Sequence, residues 1–199
     1  MEKLVKIFTI LLALFICVSL FAFPVKASYW AVNVLVAYDE EWASTAQWFY
    51  GYSAQYFADM IFDEVAYRFD SQFGIWLDPK FYISWGSNDN PAIGDDMLWE
   101  AVYEIGFHTG MTFAGSTIHM LVVFTGQDAL YMYGCAGTDP NYDTYGAVLV
   151  EHFYTYAKGQ HTDNILQHEL SHLYNASDHY NLEDCVMNTL EVYMVSQSI

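Results

Sequence analysis

The chain has 199 residues, which is enough for one domain with a hydrophobic core. Hydrophobic residues make up 54% of it and aromatic residues 19%, a composition that excludes a disordered acidic chain. The formal net charge of −18 excludes nucleic acids and anionic membrane surfaces as natural partners.

The first 27 residues are predicted to be a secretory signal peptide. Lys3 and Lys6 give a positive start, residues 7–23 are almost wholly apolar, and Val25-Lys26-Ala27 ends the segment with a typical cleavage site. The protein is therefore expected to be secreted, without a stable membrane span after cleavage. The alternative is an uncleaved N-terminal anchor, because this apolar run is at the short end of the roughly 17–25 residues that span a bilayer.

The remaining chain, residues 28–199, is predicted to form one α/β (α+β) domain. Strands alternate with helices, which favours a mixed twisted sheet packed on two helices, together with a third helix that carries the active site. An edge strand is expected within residues 128–137. In chain order, the predicted elements are a strand at 30–38, a helix at 44–73, a strand at 81–85, a helix at 95–107, strands at 118–124, near 131–133 and at 147–151, and helices at 162–174 and near 189–195.

Two cysteines, Cys135 and Cys185, remain after Cys17 leaves with the signal peptide. An even pair in an exported protein predicts one disulfide bond. Two free thiols are the alternative. No segment has the spacing of a calcium-binding loop.

The strongest chemical signal is the segment His168-Glu169-Leu170-Ser171-His172. Histidines four residues apart lie on one face of a helix, and two neutral imidazoles suit a tetrahedral zinc ion. Zinc lowers the pKa of a bound water towards about 7. Glu169 is expected to take a proton from that water as the general base and to deliver it to the leaving amine.

The residues after this helix are expected to complete the site. Asn175 stands where the chain must leave the helix, and asparagine is the usual second choice to glycine for the left-handed conformation found there. The resulting turn would bring a third ligand back to the metal. Asp178 is favoured by its offset of six residues from His172, and His179 is the alternative.

These residues resemble the metzincin clan of zinc metallopeptidases, whose pattern is H-E-x-x-H-x-x-G-x-x-H or ends in Asp. His168, Glu169 and His172 match that pattern, Asn175 stands in place of Gly, and Asp178 falls on the third-ligand position, as in the snapalysin-like branch. The segment Cys185-Val186-Met187-Asn188 resembles the Met-turn of the clan and the Cys-x-Met arrangement of archaemetzincins. The resemblance covers about residues 161–188 and implies that Met187 forms the floor of a zinc site.

The sequence therefore predicts a secreted, monomeric zinc-dependent endopeptidase that acts on protein or peptide substrates. One alternative is a catalytically silent, zinc-binding extracellular interaction domain, which would have no need of Glu169. Another is a secreted acidic protein with a chance motif, whose helix histidines would be exposed to solvent. A third alternative is a zinc enzyme that hydrolyses a different bond, for example an amidase of cell-wall peptide.

Overall fold

The computed structural model describes residues 30–88, 94–127, 133–137, 146–152 and 162–177. They form a five-stranded mixed sheet with helices on both faces, and a small two-stranded hairpin. In chain order the elements are β1 (Trp30–Tyr38), α1 (Glu40–Thr45), a π-helical turn (Ala46–Tyr50), α2 (Ala54–Phe73), β2 (Ile75–Ser84), α3 (Gly94–Ile105), β3 (Thr112–Phe113), β4 (Ser116–Thr117), β5 (Met120–Thr125), β6 (Gly134–Gly137), β7 (Ala147–Glu151) and α4 (Thr162–Leu173).

The sheet has the strand order β2-β1-β5-β7-β6. Its first four strands are parallel, and β6 pairs antiparallel with β7, so the prediction of a mixed sheet in an α+β fold is confirmed. The central strands are largely apolar because both of their faces are covered. Val34 and Val36 face one core, whereas Leu35 and Ala37 face the other.

The two faces of the sheet are covered by different helices. Helices α1, α2 and α4 pack on one face, where Phe62 of α2 and Leu166 of α4 are fully buried in the same cluster. Helix α3 packs on the opposite face through Leu98 and its neighbours. The helix that carries the His-Glu motif is thus packed on the sheet, beside α2.

The predicted single helix over residues 44–73 is wrong, because the chain breaks at Gly51. This glycine has a φ of 69°, the left-handed conformation that ends a helix. Helix α1 begins earlier than predicted, at Glu40, and is capped by Asp39, whose carboxylate accepts a hydrogen bond from Trp42 N–H. Ser53 then caps α2. The predicted end of the helix at Gly74 is confirmed.

The later elements lie close to their predicted positions. Strand β7 and the start of α4 match the prediction, and β2 begins six residues earlier than predicted. A strand lies at Gly134–Gly137, directly after the one expected near 131–133, of which residues 131 and 132 lie outside the described ranges. Since β6 lies at one end of the strand order, the prediction of an edge strand within residues 128–137 is confirmed.

Two predicted segments lie outside the described ranges. These are the signal peptide at 1–27 and the short helix near 189–195. Among the described helices, none is both long and apolar enough to cross a bilayer. The boundary at residue 27 stays a prediction.

Candidate metal centre

Helix α4 is buried along most of its length, although eight of its 12 residues are polar. Gln167, His168, Glu169 and Ser171 are between 5% and 8% exposed. Buried polar groups require hydrogen-bond partners or a bound ion, because desolvation without compensation is costly. This burial contradicts the alternative in which His168 is an incidental histidine on a surface helix.

The side chains of His168 and His172 converge. Their Nε2 atoms are 3.1 Å apart, and the two rings are perpendicular with centroids 4.7 Å apart. Two ligands at about 2.0–2.1 Å from a tetrahedral zinc ion lie roughly 3.3 Å from each other. The observed separation therefore fits two imidazoles that share one metal ion.

The second ring nitrogen of His172 fixes the tautomer of that side chain. Nδ1 lies 3.0 Å from the carbonyl oxygen of Ala176, and because a carbonyl only accepts, Nδ1–H is the donor. In a neutral imidazole this leaves the lone pair on Nε2, the atom that faces His168. Hydrogen bonds of this kind from a ligating histidine to a backbone carbonyl are typical of metal sites.

The turn after α4 brings Ala176 to this position. Asn175 has a φ of 63°, so the predicted left-handed residue is confirmed. The N–H of Ala176 donates to Ser171 O, and the N–H of Asn175 donates to His172 O. Together these bonds form a Schellman motif, which satisfies the last carbonyls of the helix and reverses the chain towards the two histidines.

Glu169 completes a group of three potential ligands. Single ligand atoms of His168, Glu169 and His172 all lie within 4.8 Å of one another, and within the described part of the chain this is the one such group. The aliphatic part of the Glu169 side chain packs against β6, where Gly134 approaches it closely. The residues present are thus suited to a metal that prefers nitrogen and oxygen ligands.

Arg68 of α2 holds the first half of α4. Its guanidinium donates to Asp163 at 2.6 Å, to Asn164 at 2.9 Å and to Gln167 at 3.1 Å. Gln167 directly precedes His168. The fork geometry of arginine allows all three contacts at once, which fixes α4 against α2.

A layer of buried polar residues lies where the parallel strands end. Burial raises the pKa of Asp39 to about 6, although Asp39 accepts hydrogen bonds from Thr125 and from the N–H groups of Trp42 and Gly126. Burial also lowers the pKa of His152 to about 4. Its Nε2 is hydrogen-bonded to the Tyr50 hydroxyl and its Nδ1 to the Thr162 hydroxyl. His152 is therefore a core histidine whose ring nitrogens both have hydrogen-bond partners.

Several predicted site residues lie outside the described ranges. They are Asp178, His179, Cys185 and Met187. The structure brings His168, Glu169 and His172 together. The described residues end at 177, one residue before Asp178. Cys135 is buried on β6, and its disulfide with Cys185 stays a prediction.

The sequence reasoning did not single out Gly134, Arg68 or Asp39. For Gly134 a signal existed, since a glycine inside a strand pattern often marks a close backbone approach. For Arg68 and Asp39 the partners lie far away in the sequence, and no local pattern indicates them.

Comparison with known proteins gives a likeness at the level of the fold. No family model and no curated protein matches the sequence. A structure of a chaperone–substrate complex aligns with a TM-score of 0.52 at 10% identity, covering 78% of this chain and 25% of that one. Metalloproteinase-II from Bacteroides fragilis aligns with a TM-score of 0.44 at 12% identity, covering 82% of this chain and 48% of that one.

The chain thus spans a quarter of the first neighbour's length and about half of the second's. At 10% identity the first likeness concerns the fold alone. The second, with a TM-score below 0.5, does not bear on fold or function.

Proposed function

We propose that this chain is a secreted, zinc-dependent endopeptidase of metzincin type. The observation that carries the proposal is the convergence of His168 Nε2 and His172 Nε2 to 3.1 Å, with Glu169 beside them on a buried helix. The tautomer imposed on His172 by the Ala176 carbonyl leaves its Nε2 lone pair available to a metal.

Three side chains would hold the zinc ion. His168 and His172 supply two nitrogens, and the third ligand comes from the segment that follows Ala176. We propose Asp178, with His179 as the alternative. Three protein ligands leave a fourth position open for substrate, as in catalytic rather than structural zinc sites.

The chemistry is peptide-bond hydrolysis without a covalent intermediate. A zinc ion held there supplies Lewis acidity, which polarises a carbonyl group and makes a water molecule more acidic. Glu169 accepts a proton from the attacking water on its carboxylate and donates it to the departing amine nitrogen. Burial of Glu169 at 6% exposure keeps bulk water away from this proton transfer.

The substrate is proposed to be an extended peptide that pairs with the outer edge of β6. This strand pairs with β7 on one side only among the described residues, and it packs against α4 close to Glu169. Pairing through backbone N–H and C=O groups orients a peptide with little dependence on its sequence. It would place a scissile bond near the catalytic group.

The proximity of Glu169 to the histidines favours this proposal over a silent zinc-binding domain. A structural zinc site has four protein ligands and no use for a carboxylate that is not a ligand. Glu169 lies in the same group as both histidines and is buried with His168, where its carboxylate can serve as a general base beside the metal.

The test is metal analysis and casein hydrolysis of residues 28–199, alongside Glu169→Gln and His168→Ala. We expect about one zinc per chain in the wild type and in Glu169→Gln, with activity at least about 100-fold lower in the latter. His168→Ala is expected to lose the metal. His108→Ala, which changes an exposed histidine, is the matched control and should retain it. A metal-free wild type that still cleaves casein would refute the proposal.

A further inference from the structure

Strand β6 runs directly beside the stem of Glu169. A methyl group at Gly134 would lie 2.8 Å from Glu169 Cγ, 2.9 Å from Ile165 Cγ2 and 2.9 Å from the carbonyl oxygen of Leu149. Atoms in a close-packed interior do not approach one another so closely without displacement. The φ of Gly134 lies outside the left-handed region, so glycine is needed here for space rather than for backbone conformation.

The three neighbours differ in their freedom to move. Leu149 lies opposite Cys135 in the β6–β7 ladder, so its carbonyl is held by strand pairing. Ile165 is β-branched and lies in a helix, where such side chains keep essentially one rotamer. The side chain of Glu169, with several rotatable bonds, is the neighbour that yields most easily to a larger group at position 134.

We propose that Gly134 is a positioning residue for Glu169. The missing side chain forms the space that the Glu169 stem occupies between β6 and α4, and this directs the carboxylate towards the two histidines. The inference rests on the proposed role of Glu169 as general base. A displacement of about 1 Å in such a group is enough to reduce a rate by about 100-fold.

Gly137 provides a matched control on the same strand. Strand side chains alternate between faces, and a methyl group at Gly137 would face α3, at 3.0 Å from Leu98 Cδ2 and 3.3 Å from Trp99 Cζ2. The end of the Leu98 side chain can rotate away. Gly137→Ala therefore adds the same atoms to the same strand without contact with Glu169.

The first experiment is a double-mutant cycle read by chemical denaturation, which needs no activity. Gly134→Ala is made in the wild type and in Glu169→Ala, where the crowded Cγ is absent. We expect the denaturation midpoint to fall less in the Glu169→Ala background, whereas Gly137→Ala should lower it equally in both. A Gly134→Ala chain that folds only in the Glu169→Ala background would also support the proposal. Equal losses in both backgrounds, or failure to fold in both, would overturn it.

The second experiment follows the carboxylate itself. In Gly134→Ala we expect unchanged zinc per chain, a kcat about 10- to 100-fold lower with little change in KM, and a shifted acidic limb of the pH profile. Acetohydroxamate, a metal chelator whose hydroxyl can donate to a neighbouring carboxylate, should bind about 10-fold more weakly. A variant with wild-type kcat, pH profile and acetohydroxamate affinity would overturn the positioning role.

The proposed function and the positioning role of Gly134 are refuted by different results. A wild type without zinc or peptidase activity would refute the proposed function, while the stability cycle would still decide whether Gly134 positions Glu169. The positioning role alone would be refuted if the wild type is active, Glu169→Gln abolishes that activity and Gly134→Ala leaves it unchanged.

Discussion

Arg68 Nη2 lies 2.6 Å from the Asp163 carboxylate, and this ion pair joins the long helix α2 to the first turn of α4. The side chains are 25% and 17% exposed, so the pair is partly shielded from water. The same guanidinium reaches Gln167, the residue before His168. The beginning of the candidate metal-binding helix is thus held by a charge on a different helix.

We predict that Arg68→Ala lowers the free energy of unfolding by about 2 kcal/mol, because several hydrogen bonds to a charged group are lost. Arg68→Lys should recover only part of this loss, since an ammonium cannot form the same fork of contacts. Urea denaturation measures both. Glu64→Ala is the control, because Glu64 is 55% exposed and its pair with Arg68 should contribute about 0.5 kcal/mol or less. Similar losses for Arg68→Ala and Glu64→Ala would contradict the prediction.

Asn175 gives a second prediction, through its left-handed backbone. Asn175→Ala should cost about 1 kcal/mol of stability, whereas Asn175→Gly should maintain or raise it, because only glycine adopts a φ near 63° without strain. The turn also carries the Ala176 carbonyl that orients His172. Zinc affinity, measured against a competing chelator, should therefore fall about 10-fold in Asn175→Ala. Equal zinc affinity in the Ala and Gly variants would show that the conformation of this turn does not affect metal binding.

His152 gives a third prediction, on pH. In the folded chain the pKa of His152 is about 4, below the usual 6.5. As the pH falls, His152 therefore binds a proton in the unfolded chain at a higher pH than in the folded chain. The stability that this group contributes is fully present above pH 6.5 and is lost as the pH falls towards 4, by at most about 3 kcal/mol. In His152→Gln, unfolding free energies measured between pH 7 and 4 should show a correspondingly weaker decline.

Asp39 provides the opposite control over the same pH range. Its folded pKa of about 6 is above the ordinary 3.8, so its contribution is present below pH 3.8 and is lost as the pH rises through 6. Asp39→Asn should therefore make the decline of stability on acidification steeper, whereas His152→Gln makes it shallower. Parallel curves for the two variants would show that neither group titrates as its burial indicates.

The fourth prediction concerns the third ligand. Asp178→Ala should reduce zinc affinity by at least about 100-fold, because a three-ligand site loses one of its donors, whereas His179→Ala should keep nearly one zinc per chain. Equilibrium dialysis with metal analysis measures both. Release of zinc by His179→Ala but not by Asp178→Ala would assign the ligand to His179.

The sequence by itself determined those features that depend on neighbouring residues. The central strands were predictable because continuous apolar runs are typical of strands covered on both faces. Helix α4, its two histidines on one face and the left-handed Asn175 were predictable because helical spacing and helix termination are local properties. The same reasoning missed the break at Gly51, since an aromatic stripe on both sides resembles one continuous helix.

Only the tertiary structure decided the features that join distant parts of the chain. Arg68 and Asp163 are 95 residues apart, and Asp39 and Thr125 are 86 apart. The approach of Gly134 to Glu169 depends on the packing of an edge strand against a helix. No local pattern encodes such contacts, because they depend on how elements that are far apart in the sequence pack against one another. The sequence thus specified the chemical groups of the site, and their burial and mutual position followed from the packing of α2, α4 and β6.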